Sequence, residues 1–135
     1  MKSLLSLEKK INSELATKVK NTRINHNHIC INIENENLLE VVLFLKNNNE
    51  TKFRQLIDIT AVDYPSKELR FELIYILLSM KKNKRLILKT YIKDGSGIET
   101  ITSIHKSADW YERECYDLFG IEFYNHPDLR RIMTD

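Results

Sequence analysis

The chain has 135 residues, 42% hydrophobic and 30% charged, and its 21 basic and 19 acidic side chains leave a net charge of +2. That length fits one domain able to bury a core without a disulfide or metal. Residues 1–60 hold nine basic and seven acidic groups and residues 61–135 twelve of each, which is not the clustered basic footprint of a nucleic-acid binder.

In chain order, Leu4, Ile11, Leu15 and Val19 recur at helical spacing and predict a first helix from about Ser3 to Lys20. Glu8 and Glu14 interrupt its positive charge, whereas a cleavable transit peptide is acid-poor, so no targeting segment is expected. Asn21–Asn27 reads as a polar turn region. The alternation His28-Ile29-Cys30-Ile31-Asn32-Ile33 predicts a half-buried strand with its isoleucines on one side. A second, largely apolar helix follows from Asn37 to about Lys46, with Asn35 or Asn37 as candidate cap. Phe53–Val62 reads as a strand and Asp63–Lys67 as a loop. Phe71–Ser79 and Arg85–Ile92 are two strong strands whose short polar connection predicts an antiparallel hairpin. The longest apolar run, Leu73–Leu78, falls far short of a membrane span.

Asp94–Gly97 is a turn, and Ile98–His105 is open between a short strand, a short helix, and one after the other. A final helix from Ala108 to Phe119 has Ser107 as candidate cap and Ala108, Tyr111, Cys115 and Leu118 as its expected inward stripe. Gly120 stops it, where a left-handed residue costs glycine little, and an extended segment is then turned by Pro127. These elements predict an α+β, two-layer α/β sandwich: a mixed sheet with helices on one face, then a carboxy-terminal helix and an extended docking segment. The strand order is not readable. One domain, 1–135, is expected.

His26, His28 and Cys30 would share one face of an extended strand and are all metal-ligand types. No fourth ligand is nearby, and the polar side of a half-buried strand explains them more simply. Lys81–Arg85 is a basic run that fits a solvated hairpin tip better than an RNA or lipid patch. Two cysteines, Cys30 and Cys115, form no C-x-x-C pair and read as buried reduced thiols. Glu112, Glu114 and Asp117 would need a pocket that raises one pKa before they could do acid–base chemistry. The residues predict neither a catalytic nor a metal or cofactor site. Recognition is the better reading. Arg113, Arg130 and Arg131 can each clamp a carboxylate. With Trp110, Tyr116, Phe119, Phe123 and Tyr124 they have the composition of an interface hot spot.

The stretch from Glu112 to Met133 resembles the signature of the thirty-kilodalton subunit family of respiratory NADH dehydrogenase, the C subunit in the bacterial enzyme and subunit 9 in the mitochondrial one. The signature positions are filled by Glu112-Arg113-Glu114, Asp117, Leu118-Phe119, His126, Arg130 and Ile132-Met133. Asp58–Pro65 and Phe71–Ser79 resemble the family's strand-and-turn segment and central hairpin, so the resemblance runs from about Phe53 to Met133.

The resemblance implies a non-redox core subunit in the quinone module of the peripheral arm of the proton-pumping NADH:ubiquinone oxidoreductase, with no active site of its own. It implies no cofactor in this chain, with flavin and iron–sulfur clusters on neighbours. The implied partners are the large quinone-site subunit and the iron–sulfur subunits, with no nucleic acid and no membrane span. The implied docking residues are Trp110, Glu112, Arg113, Glu114, Asp117, Phe119, Phe123, His126, Arg130 and Arg131. Family members continue into a tail that this sequence lacks after Asp135; the alternatives are that it is lost, absent from this gene product, or supplied by another polypeptide, and a separate chain on that surface is the hypothesis. The expected location is the matrix side of the mitochondrial inner membrane, organelle-encoded; the alternative is the cytoplasmic side of a bacterial plasma membrane. The alternative function is the homologous scaffold subunit of a membrane-bound hydrogenase or plastid NDH complex. A free-standing metal or small redox protein built on His26, His28 and Cys30 is the competitor from another class.

Overall fold

The computed structural model describes residues 4–15, 17–25, 28–81 and 83–127. Its centre is the predicted hairpin. Strands β4 (Phe71–Ser79) and β5 (Lys84–Ile92) pair antiparallel over their full length, with Tyr75 opposite Leu88 and Leu77 opposite Leu86. Alternation decides the layering. Phe71, Leu73, Tyr75, Leu77, Leu86 and Leu88 are buried, while Ile74, Ile76, Leu78 and Ile87 on the opposite side are half-buried. Strand β2 (His28–Ile33) lies parallel to β5, and β3 (Gln55–Asp63) antiparallel to β4. With β1 (Val19–Asn25) antiparallel to β2 at the edge, the order β1-β2-β5-β4-β3 makes a five-stranded mixed sheet.

Helices α1 (Leu4–Glu14) and α2 (Leu38–Asn47) join this inner face. Leu7 and Ile11 from α1, and Leu38, Val41, Val42 and Leu45 from α2, share one continuous core with the buried strand residues. Helix α3 (Ala108–Phe119) adds Ala108 and Cys115 to the same core and packs along β3. The two-layer α+β arrangement is therefore as expected.

Three local readings need correction, and one left open is settled. The first helix ends at Glu14 rather than Lys20, and Val19–Asn25 forms an edge strand, β1, paired to β2. Pairing with β2 overrides the weak apolar pattern of Val-Lys-Asn-Thr-Arg-Ile-Asn, and exposed Lys20 and Arg23 suit a sheet edge. Neither Asn37 nor Ser107 makes a side-chain cap hydrogen bond; a 3-10 turn over Asn35–Asn37 leads into α2, and Ser107 is already helical. Leu118 is 65% exposed, and the fully buried Glu112 takes the inward place. Ile98–His105 resolves into a three-residue strand β6 (Gly97–Glu99) followed by turns.

Gly120 closes α3 in the left-handed region, with φ 72° and its N–H donating to the Tyr116 carbonyl at 2.8 Å. The chain then returns as β7 (Glu122–Tyr124), parallel to β6. A parallel pair needs a long crossover, and α3 supplies it. The β6–α3–β7 unit positions the candidate site.

Candidate docking interface

Helix α3 has two unlike faces. Ala108, Glu112 and Cys115 follow one another at i, i+4 and i+7 and turn inward. Trp110 is 53% exposed and Leu118 points to solvent, with Arg113, Glu114 and Asp117 half-buried beside them. The Arg113 guanidinium lies 5.8 Å from the Trp110 ring centroid, a stacked pair that holds a planar cation on an exposed aromatic. Phe119 anchors the end of the helix, its ring 6.1 Å from Phe71 in an edge-on contact.

The inward face carries the more unusual chemistry. The Glu112 carboxylate accepts from Thr100 Oγ1 at 2.5 Å and from the Ile101 N–H at 2.9 Å. Burial pushes its pKa from 4.5 up to about 7; those two hydrogen bonds oppose the rise, and Asp109 and Glu99 add to it. The buried His126 ring approaches from beyond β7. Its Nε2 is 3.8 Å from Glu112 Oε1 and 3.2 Å from Asp109 Oδ1. Glu112 thus fastens the Thr100 side chain and the Ile101 backbone to α3, with the turn after β7 packed beside it. Next to it, burial holds the Cys115 thiol up at about 12 and the Tyr75 phenol well above its usual range.

A carboxyl group titrating near neutrality is what a general acid requires. Here both oxygens are already engaged and the residue is 0% exposed, so no face is left for a substrate. Its physical work is to fasten the loop before α3.

Gly97 completes the unit. A Cβ there would lie 2.7 Å from both the Glu122 carbonyl oxygen and the Tyr124 ring. The missing side chain lets the Gly97 N–H donate to Tyr124 Oη at 2.9 Å and keeps β6 against β7. Thr100 N–H donates to the Tyr124 carbonyl at 3.0 Å, and Asn125 Nδ2 to Glu99 Oε2 at 2.8 Å.

The expected docking residues therefore divide. Trp110, Arg113, Glu114 and Asp117 lie on accessible or half-accessible parts of one helix. Glu112, Phe123 and the His126 side chain are buried in the chain alone, where they shape the surface rather than form it. Arg130 and Arg131 lie outside the described residues. The inward place of Glu112 is visible in the sequence once polar residues are allowed on the helical stripe. The roles of Thr100, Gly97 and Tyr124 carry no sequence signal, because they depend on the parallel return of β7. Cys30 is buried on β2, on the side opposite its inward isoleucines, and His28 is half-buried, while His26 lies outside the described residues; among the described residues no three metal-ligand side chains are grouped. No described helix is long and apolar enough to cross a membrane.

Comparison with known proteins gives a consistent answer. The family described as "Respiratory-chain NADH dehydrogenase, 30 Kd subunit" matches residues 31–135. The chain is 40% identical to the C subunit of the NADH-quinone oxidoreductase of Mesorhizobium japonicum over 133 residues, 98% of this chain and 66% of that protein. It is 50% identical to the mitochondrial NADH dehydrogenase [ubiquinone] iron-sulfur protein 3 of Candida albicans over 98 residues, 73% of this chain and 35% of that protein. The chain thus spans between about a third and two thirds of the length of these relatives. Among solved structures, a chain of the membrane-bound sulfane sulfur reductase, an archaeal respiratory membrane complex, superposes with a TM-score of 0.82 at 25% identity, covering 96% of this chain and 74% of that one.

The name of the Candida relative raises the question of an iron–sulfur cluster. Such a cluster takes about four thiolates, and this chain has two cysteines, on β2 and α3, each buried and on different sides of the sheet. These residues do not fit a cluster. With the family matched over more than half its length, the chain belongs to the thirty-kilodalton subunit family of respiratory-chain NADH dehydrogenase.

Proposed function

We propose that the chain is a non-redox scaffold subunit in the quinone module of the peripheral arm of a proton-pumping NADH:ubiquinone oxidoreductase. It would hold the large quinone-site subunit and the iron–sulfur subunits together while flavin and clusters on those neighbours move electrons. The observation that carries this reading is the exposed aromatic–arginine face of α3, fixed from beneath by Glu112, on a chain of this family. An exposed Trp with a half-buried Arg over its ring presents the residue types that dominate binding energy at interfaces. The matrix side of the mitochondrial inner membrane is the proposed location; relatives are named from mitochondria and from bacteria alike.

The test is the double variant Trp110→Ala with Arg113→Ala. Both side chains reach the surface, so the chain itself should fold. Assembled complex, measured by native electrophoresis, is expected to fall about tenfold or more, as for loss of a hot spot of roughly 2 kcal/mol, with turnover per assembled complex unchanged. Normal complex levels with lost quinone reduction would instead assign the face a direct part in catalysis.

A second reading has one observation in its favour, the close superposition on a chain of the archaeal sulfane sulfur reductase. There the same scaffold would serve a membrane complex with another electron partner. Co-purification with an NADH-binding flavoprotein separates the two readings.

A further inference from the structure

A second surface lies beside the amino-terminal end of α3. An open groove of about 680 Å³ runs between the last turn of α2, the start of β3 and the turns before α3. Lys46, Arg54 and Lys106 line it, and no acidic side chain among the described residues does. The chain as a whole is nearly balanced in charge, so this excess is local. Three separate segments supply the three cations. Lys46 spends one N–H on the Ile104 carbonyl and keeps two for another acceptor.

His105 sits in the same lining at 5% exposure, and its Nε2 has no hydrogen-bond partner among the described residues. Burial first, and then the Lys46 charge, hold its pKa down at about 4 against an ordinary 6.5. A buried imidazole nitrogen left unpartnered beside a cation is an unfinished arrangement, and a carboxylate entering the groove would complete it. Ile57, displaced to the surface by the bulge between Leu56 and Asp58, adds an apolar contact on the wall.

We infer that this groove docks an acidic peptide segment of a partner subunit. Arg54 and Lys106 receive carboxylates at the rim, Lys46 and His105 receive one deeper, and Ile57 meets an aliphatic side chain between them. The volume far exceeds a single phosphate, and the three cations come from three separate segments of its lining, which suits several carboxylates on one chain better than one small anion. That the occupant is a partner subunit rests on the scaffold reading above. The preference for acidic peptide is a property of the chain alone and can be tested on it alone.

The test titrates the isotopically labelled full chain with hexaglutamate, with inorganic phosphate, and with vesicles of phosphatidylcholine and phosphatidylglycerol, following amide and imidazole signals. Hexaglutamate is expected to shift the signals of residues 54–57 and 102–107. It should also raise the His105 midpoint by one unit or more. The titratable and charged side chains around that ring are Lys46 from α2, Arg54 before β3, Lys106 beside it and Tyr111 from α3. Arg54→Glu combined with Lys106→Glu, both at exposed positions, should weaken the peptide at least tenfold. No shifts in the groove, or undiminished binding by the double variant, overturns the proposal. Equal shifts from phosphate alone would make this a small-anion site, and vesicle binding through the same residues would make it a membrane contact; either result overturns it too. If hexaglutamate binds as described but the chain fails to join a complex, the scaffold reading fails and the groove stands.

Discussion

The five-stranded sheet and the small β6–α3–β7 unit depend to different degrees on directed contacts. The sheet's inner face presents many interchangeable apolar side chains, so its cohesion is spread thinly over a large area. The small unit adds Ile98, Ala108, Cys115 and Phe123 to that core, but its two strands of three residues each also depend on a buried carboxylate, one glycine contact and a few directed hydrogen bonds. Damage to the sheet should therefore cost the whole domain, whereas damage to the small unit should stay local and disorder the surface proposed for docking.

The largest expected effect is on the sheet. Leu73 is 0% exposed at the middle of β4. Leu73→Ala leaves a cavity and should cost about 2–5 kcal/mol, read as a lower Tm with hydrogen-exchange protection falling across all five strands together. If protection fell only around β4, the view of the sheet as one cooperative body would fail.

Next comes Gly97→Ala. The new Cβ would strike a backbone carbonyl and a ring tied to that same backbone, neither of which can move freely. Overpacking of this kind costs about 1–3 kcal/mol. Exchange protection should be lost over residues 97–101 and 121–124 while β4 and β5 keep theirs. Uniform loss across the sheet would mean that the two regions are not separable.

The same contrast explains what could be read in advance. Strands β4 and β5 and the limits of α3 follow from periodicity, because burial of apolar side chains is what forms them. Gly120 was legible for a related reason: a left-handed turn favours glycine whatever surrounds it. Strand β1 was not, because an edge strand needs only a neighbour's backbone and its sequence reads as turn. Nor was the inward place of Glu112. A stripe scored by hydrophobicity alone prefers Leu118, and only the positions of Thr100 and Ile101, brought in by the turn before α3, make a buried carboxylate tolerable. The groove around His105 combines residues from 46 to 111, a proximity that no local pattern encodes.

The gentlest substitution asks what kind of fastening Glu112 is. Its pKa is about 7 in the fold against an ordinary 4.5. Between those values the folded chain keeps a proton that the unfolded chain has released. The Glu112 contribution is therefore fully present below about pH 4.5 and is lost as pH rises through about 7. His105 acts in the opposite sense: its folded pKa of about 4 lies below 6.5, so its contribution grows as pH rises through that range. The wild-type profile is the difference of two slopes, and only a comparison with Glu112→Gln isolates one of them. Glutamine can still accept from the Ile101 N–H and can donate to Thr100, so the loop should remain fastened. Denaturant unfolding at pH 5 and pH 8 should show the variant gaining on the wild type by about 1–2 kcal/mol over that interval, within the ceiling that a shift of this size allows. A gap that stays constant with pH would mean that the buried group is already ionised at pH 5, and that the fastening is a charged carboxylate rather than a protonated carboxyl. In either case the exchange protection of residues 100–102 reports whether the surface above it survives the change.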